Sequence, residues 1–130
     1  MNGINSIKKM VAATQTPGVI GGIGSFGGLF KSPGKDHMLV SSADGVRTKL
    51  KVTCMAKKHD TTEQDIVSHC GNDILVMGVK PLFFLDYIGA ARFDDKIFND
   101  VIKGLCKACK QNDCALLGGQ TAEMPGLPPE

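Results

Sequence analysis

The stretch Asp65–Asp86, DIVSHCGNDILVMGVKPLFFLD, decides how the rest of the chain is read. It predicts one amphipathic helix running through Gly78, a tight turn at Pro81 and a buried strand that ends in an acid. At about 100° per residue, Ile66, Cys70, Ile74 and Met77 fall on one apolar stripe. Asp65, His69 and Asn72 fall on the opposite side, with Asp73 at its flank. Taken alone, that polar side is the solvated face that most surface helices carry. Leu82-Phe-Phe-Leu85 is apolar at consecutive positions, which marks a strand buried on both faces. Asp86 then becomes the acid most subject to desolvation.

Working outward, His59-Asp-Thr61-Thr-Glu-Gln64 opens the helix, with His59 and Asp60 as loop and cap residues. Thr61 with Gln64 fits a capping box, and Glu63 and Asp65 suit the positive end of the helix dipole. Upstream, His37–Ala43 and Val46–Met55 read as two strands joined by the turn dipeptide Asp44-Gly45. This hairpin places Asp44 at its tip, followed by Arg47, Thr48 and Lys49. An Asp at such a turn commonly serves backbone geometry, and a metal-binding Asp followed by Thr and Lys has the same pattern. Downstream, a second helix runs from Asp94 to about Gln111. Phe98, Val101, Ile102, Leu105 and Cys109 point inward, and Lys96, Lys103, Lys107 and Lys110 face water. Cys114–Leu117 is a short buried strand, and Gly118–Gly126 is a glycine-bearing loop.

The N-terminal residues 2–14 predict a short helix with Ile4, Ile7 and Val11 inward, then a turn over Gln15–Gly18. Gly22-Ile-Gly-Ser-Phe-Gly27 is a literal GxGxxG within the glycine-rich run Gly21–Phe30. A dinucleotide loop must open a helix, whereas Pro33-Gly34 follows here and stops one. A kinase loop needs a longer chain, and a Walker loop needs a GKS or GKT at the right spacing. Two readings stay open: a side-chain-poor loop whose N–H groups approach a phosphate, or a plain glycine-rich loop or bulged edge strand. The order hairpin, helix, strand, helix, strand predicts an α+β domain, with helices on one face of a four-stranded, mostly antiparallel sheet. Its uncovered apolar face predicts a homodimer.

Composition sets the outer bounds. A chain of 130 residues, 42% hydrophobic and 22% charged, supports one soluble domain over residues 1–130 with its own core. A net charge of +2, scattered lysines and the lack of tryptophan argue against nucleic acid as a partner. No apolar run has membrane-spanning length, and the N-terminus lacks a signal-peptide layout, so a cytoplasmic location is expected. Five cysteines without secretory context predict reduced thiols. Cys106-Lys-Ala-Cys109 lies inside a predicted helix with no second such pair, so helical packing is the expectation over zinc.

Six segments taken together carry a resemblance. They are Gly21–Phe30, Ala43-Asp-Gly-Val-Arg-Thr-Lys-Leu50, His59-Asp-Thr61, Asn72-Asp73, Pro81-Leu-Phe-Phe-Leu-Asp-Tyr87 and Gly118-Gly-Gln-Thr-Ala-Glu-Met-Pro-Gly126. In this order, from about Ile7 to Pro128, the chain resembles the aminoimidazole ribonucleotide synthetase (phosphoribosylformylglycinamidine cyclo-ligase) family. PLFFLDY and GGxTAEMPG distinguish it from relatives that make selenophosphate or thiamine diphosphate or that mature hydrogenases.

The resemblance implies an N-terminal domain whose four-stranded sheet pairs with that of a second subunit to form a barrel. It implies ATP and Mg2+ as cofactors and formylglycinamidine ribonucleotide as substrate. The amide oxygen of that substrate is phosphorylated, and a ring nitrogen then displaces phosphate in purine biosynthesis. On this basis Asp44 and Asp73 match the metal positions and, with Lys49, the catalytic groups. Asn72, Asp65 and Thr48 support them, and Lys8 lies near the nucleotide. Gly21, Gly22, Gly24, Gly27 and Gly28 lie over phosphates, Thr121 and Glu123 line the cleft, and Asp86 orients other groups.

Three departures accompany the match: Arg47 stands where the family carries Gly, Gln120 where it usually carries Glu, and both ends are short. The family's opening segment and its C-terminal domain, which closes the other wall of the site, are expected to be absent from this chain. The alternative reading is therefore a nucleotide-binding and dimerisation fragment that is inactive without the second domain.

Overall fold

Helix α4 (Asp95–Gln111) organises the molecule, and its sequence shows why it forms. Asp94 caps it, accepting hydrogen bonds from the backbone N–H groups of Lys96 and Ile97 at 2.9 and 3.0 Å. Those bonds hold the Asp94 carboxyl below its ordinary range. Val101, Ile102, Leu105, Cys106, Ala108 and Cys109 bury one face, and Asn112 closes the C-terminal end.

The computed structural model describes residues 2–22, 28–46, 48–59 and 61–126. In chain order the other elements are α1 (Asn2–Ala12), β1 (Val19–Ile20), β2 (Leu29–Phe30), α2 (Lys49–Ala56), α3 (Thr62–Leu75), β3 (Phe83–Ala90) and β4 (Ala115–Glu123). Strands β3 and β4 run parallel, from Phe83 opposite Ala115 to Ala90 opposite Glu123, with a register irregularity after Phe84. Parallel neighbours need a long crossover, and α4 supplies it. Its buried face meets Val11 of α1, Val67 of α3 and Leu116 of β4, with Phe84 and Ile88 of β3 packed alongside. The buried Thr14 hydroxyl binds α1 to this layer: it donates to the Val11 carbonyl at 2.8 Å and accepts from the Leu116 N–H at 3.0 Å.

The architecture is α+β, but the sheet differs from the expected four-stranded, mostly antiparallel one. Among the described residues there are two two-stranded sheets, antiparallel β1–β2 and parallel β3–β4. The expected hairpin is also absent. Residues 37–46 form no strand, and Lys49–Ala56 is helical, ending at a left-handed Lys57 whose N–H returns to Cys54. Alternation in VRTKLKVTCM specifies a strand only where a neighbouring strand takes up its backbone groups. Here the helix satisfies them locally, and the buried hydroxyls of Thr53 and Thr62 share a hydrogen bond that fastens α2 to the start of α3.

Five smaller expectations are also corrected. Helix α3 stops at Leu75 rather than Gly78; Val67 and Cys70 are its buried apolar residues, and Met77 is exposed beyond its end. Thr61 caps α3 through its backbone, without the side-chain bond of a capping box. Strand β3 is not buried on both faces. Phe84, Asp86, Ile88 and Ala90 turn inward, while Phe83, Leu85 and Tyr87 are exposed, so Asp86 sits mid-strand. The glycine-bearing segment from Gly118 is not a loop but continues β4 through Glu123, because β3 extends far enough to pair with it. In α1, Val11 is buried and Ile7 packs on the core, but Ile4 is exposed because it lies near the free end of the helix.

Gly119 marks the tightest approach in the parallel pair. A β-carbon there would lie 2.1 Å from Asp86 Oδ1 and 2.4 Å from the Asp86 carbonyl oxygen. A backbone oxygen cannot swing aside, so the strands would have to separate. Gly119→Ala is expected to destabilise the fold by about 1–3 kcal/mol, read as a lower urea midpoint; an unchanged midpoint would refute the close approach.

Candidate metal and phosphate site

The segment from Ser42 to Lys49 passes the outer face of α3, and the polar groups of both converge there. Asp65, His69 and Asp73 recur every four residues along α3 and so share one face. Asp44, whose side chain is only 20% exposed, meets this face: its Oδ2 lies 2.8 Å from His69 Nε2. Its other oxygen, Oδ1, accepts the Gly45 N–H at 2.6 Å, which fixes the carboxylate's direction. Ser42 Oγ donates to Asp73 Oδ2 at 3.0 Å. Asp44, His69 and Asp73 each present one ligand atom, and these atoms lie within 4.8 Å of one another. Among the described residues this is the one cluster of three metal-ligating side chains.

A cleft of about 250 Å³ adjoins the cluster, lined by Asp44, Gly45, Val46, Thr48, Lys49, Asp65, Ile66 and His69. Lys49 Nζ lies 3.1 Å from Asp65 Oδ2, and both side chains are more than half exposed. Such a pair contributes little stability, so the ammonium can be drawn to an entering phosphate at small cost. Two convergent carboxylates suit a hard divalent cation that keeps several waters and shares phosphate oxygens with a nucleotide. The two carboxylates by themselves therefore fit magnesium. Asp44 and Asp73 would hold it, and Lys49 stands where it can neutralise phosphate charge.

The structure thus brings together Asp44, Asp73, Lys49, Thr48 and Asp65, and it adds His69, whose position on the polar side of α3 predicts only a solvated face. The signal was present in the spacing of Asp65, His69 and Asp73, but nothing local showed that Asp44 would face it. Asn72 is exposed and is not among the cleft-lining residues; its carbonyl accepts the Val76 N–H that ends α3. Lys8 is exposed on α1, which packs against α4 and β4 rather than on this face. Gly21 and Gly22 are exposed, and Gly28 rests against Leu117 of β4. Gly24 and Gly27, with Arg47 and Asp60, lie outside the described residues. Thr121 pairs opposite Ile88. Glu123 accepts the Phe93 N–H at 3.0 Å, bracing the β3–α4 connection instead of lining this cleft. Gln120 is exposed opposite Tyr87.

A second pair of acids lies at the inner side of α3. Burial pushes Glu63 up from 4.5 to about 7, helped by the charge of Asp86, and burial pushes Asp86 up from 3.8 to about 6. Cys106 and Cys109 are buried in the α4 packing, and burial raises the Cys106 thiol to about 11. Cys109 is raised first by its hydrogen bond with Cys114, then by burial. Such protonated, packed thiols are inert.

Residues 15–129 match the AIR synthase related protein, N-terminal domain, and the chain belongs to that family. It is 50% identical over 127 residues to the phosphoribosylformylglycinamidine cyclo-ligase of Desulfatibacillum aliphaticivorans, an alignment covering 95% of this chain and 37% of that protein. Identity to the enzyme of the same name from Oleidesulfovibrio alaskensis is 52% over 127 residues, or 95% of this chain and 36% of the relative. The trifunctional purine biosynthetic protein adenosine-3 of Gallus gallus is 50% identical over 129 residues, 97% of this chain and 13% of its own length. The chain spans little more than a third of the cyclo-ligases it matches.

Because the folded-state value of Glu63 is raised, its contribution to stability is present below about 4.5 and is lost as pH rises through about 7. Glu63→Gln is therefore expected to stabilise the protein at pH 8 by about 1–2 kcal/mol, discounted for partial exposure, and to have almost no effect at pH 4.5. Urea titrations at the two pH values check this, and an equal effect at both would rule out the desolvated carboxylate.

Proposed function

We propose that this chain is the nucleotide- and metal-binding part of an ATP-dependent cyclo-ligase. That enzyme converts formylglycinamidine ribonucleotide to aminoimidazole ribonucleotide in purine biosynthesis. The reading rests on the convergence of Asp44 and Asp73, carried on separate segments, beside a cleft that also presents Lys49 and Thr48. The names of the relatives agree with it.

Bound Mg-ATP would supply the phosphoryl group that turns the amide oxygen of the substrate into a leaving group. The chain's own residues bind and orient. Asp44 and Asp73 hold the cation, with Ser42 fixing the direction of Asp73 and Gly45 that of Asp44. Lys49 offsets phosphate charge from the cleft wall, and the Thr48 hydroxyl is available beside it. The family resemblance assigns Gly21, Gly22, Gly24, Gly27 and Gly28 to phosphate binding, for which backbone N–H groups of a side-chain-poor loop are suited. Asp65 pairs with Lys49 at the cleft wall, while Asn72, Lys8, Thr121 and Glu123, which do not line this cleft, are assigned to nucleotide or substrate on the family resemblance alone. Five free cysteines agree with a reducing, cytoplasmic setting.

The second reading is that residues 1–130 bind nucleotide without themselves turning over substrate. Calorimetry of Mg-ATP binding tests the first reading. Asp44→Asn and Asp73→Asn are each expected to weaken binding at least tenfold, about 1.4 kcal/mol, without loss of thermal stability. Parent-like binding by both variants would refute the assignment. ADP release on adding formylglycinamidine ribonucleotide separates turnover from binding alone.

A homodimer is part of the proposal. The outer face of β3 exposes Phe83, Leu85 and Tyr87, and the segment before Asp44 exposes Met38, Leu39 and Val40. Apolar groups grouped in this way favour a covering partner. Light scattering at micromolar concentration is expected to report twice the mass of 13.8 kDa, and a monomer would refute it.

A further inference from the structure

We propose that His69 is a direct ligand of the metal ion at the Asp44–Asp73 site, making it a mixed carboxylate–imidazole centre that takes Mn2+ or another first-row divalent ion in preference to Mg2+. The inference rests on the assignment of Asp44 and Asp73 above. Nothing in that assignment requires a nitrogen donor, because magnesium is satisfied by carboxylates, phosphate and water.

The geometry points to coordination. Ligands at about 2.1 Å on adjacent octahedral positions stand about 3.0 Å apart, and those on opposite positions about 4.2 Å apart. His69 Nε2 and Asp44 Oδ2 are 2.8 Å apart, and the atoms of all three side chains lie within 4.8 Å. The helix also restricts which residues can take part. His69 and Asp73 are one turn apart on the same face, so both present ligand atoms to an ion held by Asp44. Ser42 restrains Asp73 from outside the triad.

The donor set then decides the metal. Imidazole binds manganese, iron, cobalt, nickel and zinc better than it binds magnesium, whose strongly held hydration shell favours oxygen. A site of two carboxylates and one imidazole consequently ranks these ions above magnesium at equal concentration. An alternative role for His69 is to occupy Asp44 by hydrogen bonding, competing with a cation. The two roles predict opposite effects of removing the imidazole.

The test is Mn2+ binding to the 130-residue chain, followed by calorimetry and by pulsed electron paramagnetic resonance. Expected are a directly coordinated nitrogen signal in the parent and its loss in His69→Ala. The variant is also expected to lose at least about tenfold in Mn2+ affinity, since removal of even an outer hydrogen-bonding partner of a ligand costs that much. Mg2+ affinity, measured by competition, is expected to change by less than about threefold, because water replaces the imidazole. His69→Gln, which retains a polar side chain but no imidazole, is expected to lose the nitrogen signal as well.

Bound Mn2+ without a coordinated nitrogen would overturn the inference while leaving Asp44 and Asp73 as ligands. So would unchanged or tighter Mn2+ binding by His69→Ala. Mn2+ binding that survives both Asp44→Asn and Asp73→Asn, or no Mn2+ binding by the parent, would overturn the underlying assignment as well.

Discussion

Two parallel strands cannot be joined by a turn, and that constraint shapes the molecule. The pairing of β3 with β4 requires the chain to leave one end of the sheet and return to the other, and α4 makes the crossing. Once α4 lies over the strands, its buried face determines what else can pack. Val11 of α1 and Val67 of α3 complete the same core, and Thr14 joins α1 to Leu116 across 102 residues of sequence. Gly119 permits the strands to approach at Asp86, where any larger residue would force them apart.

The candidate site is a consequence of this packing at one remove. Helix α3 is anchored on its inner side by Val67 in the core shared with α4, so its opposite face is held in a defined direction. Asp65, His69 and Asp73 project from that face toward the segment carrying Ser42 and Asp44. Each carboxylate is aimed by a neighbour, Asp44 by the Gly45 N–H and Asp73 by the Ser42 hydroxyl. A rigid helix carrying two donors and a loop carrying the third is an arrangement that can accept a cation without unfolding either. Glu63 and Asp86, by contrast, are at the inner side of the helix, where lost hydration raises their proton affinity instead of exposing them to a ligand.

Legibility varied with how local the determining forces were. Helix α4 was readable almost to the residue because Asp94 supplies a cap and the apolar positions repeat with helical period. The extra strand length of β3 and β4 was not, because glycines such as Gly118 and Gly119 have no strong preference until a partner strand claims their backbone. Residues 46–55 alternate as a strand would, yet Lys49–Ala56 folds as a helix whose buried Thr53 is joined to Thr62. The same limit explains His69. Its spacing from Asp65 and Asp73 was visible, but its proximity to Asp44 depends on a chain path that no local pattern encodes.

The amino-acid sequence by itself determined the family, the α+β class and the α4 core stripe. Motifs, caps and periodicity are properties of residues a few positions apart, and they act before distant segments meet. Only the tertiary structure decided that β3 and β4 are parallel, that Asp86 lies mid-strand, and that His69 faces Asp44 at 2.8 Å. These depend on which long-range pairings satisfy the backbone and bury the core together, and those pairings are settled by the whole chain at once.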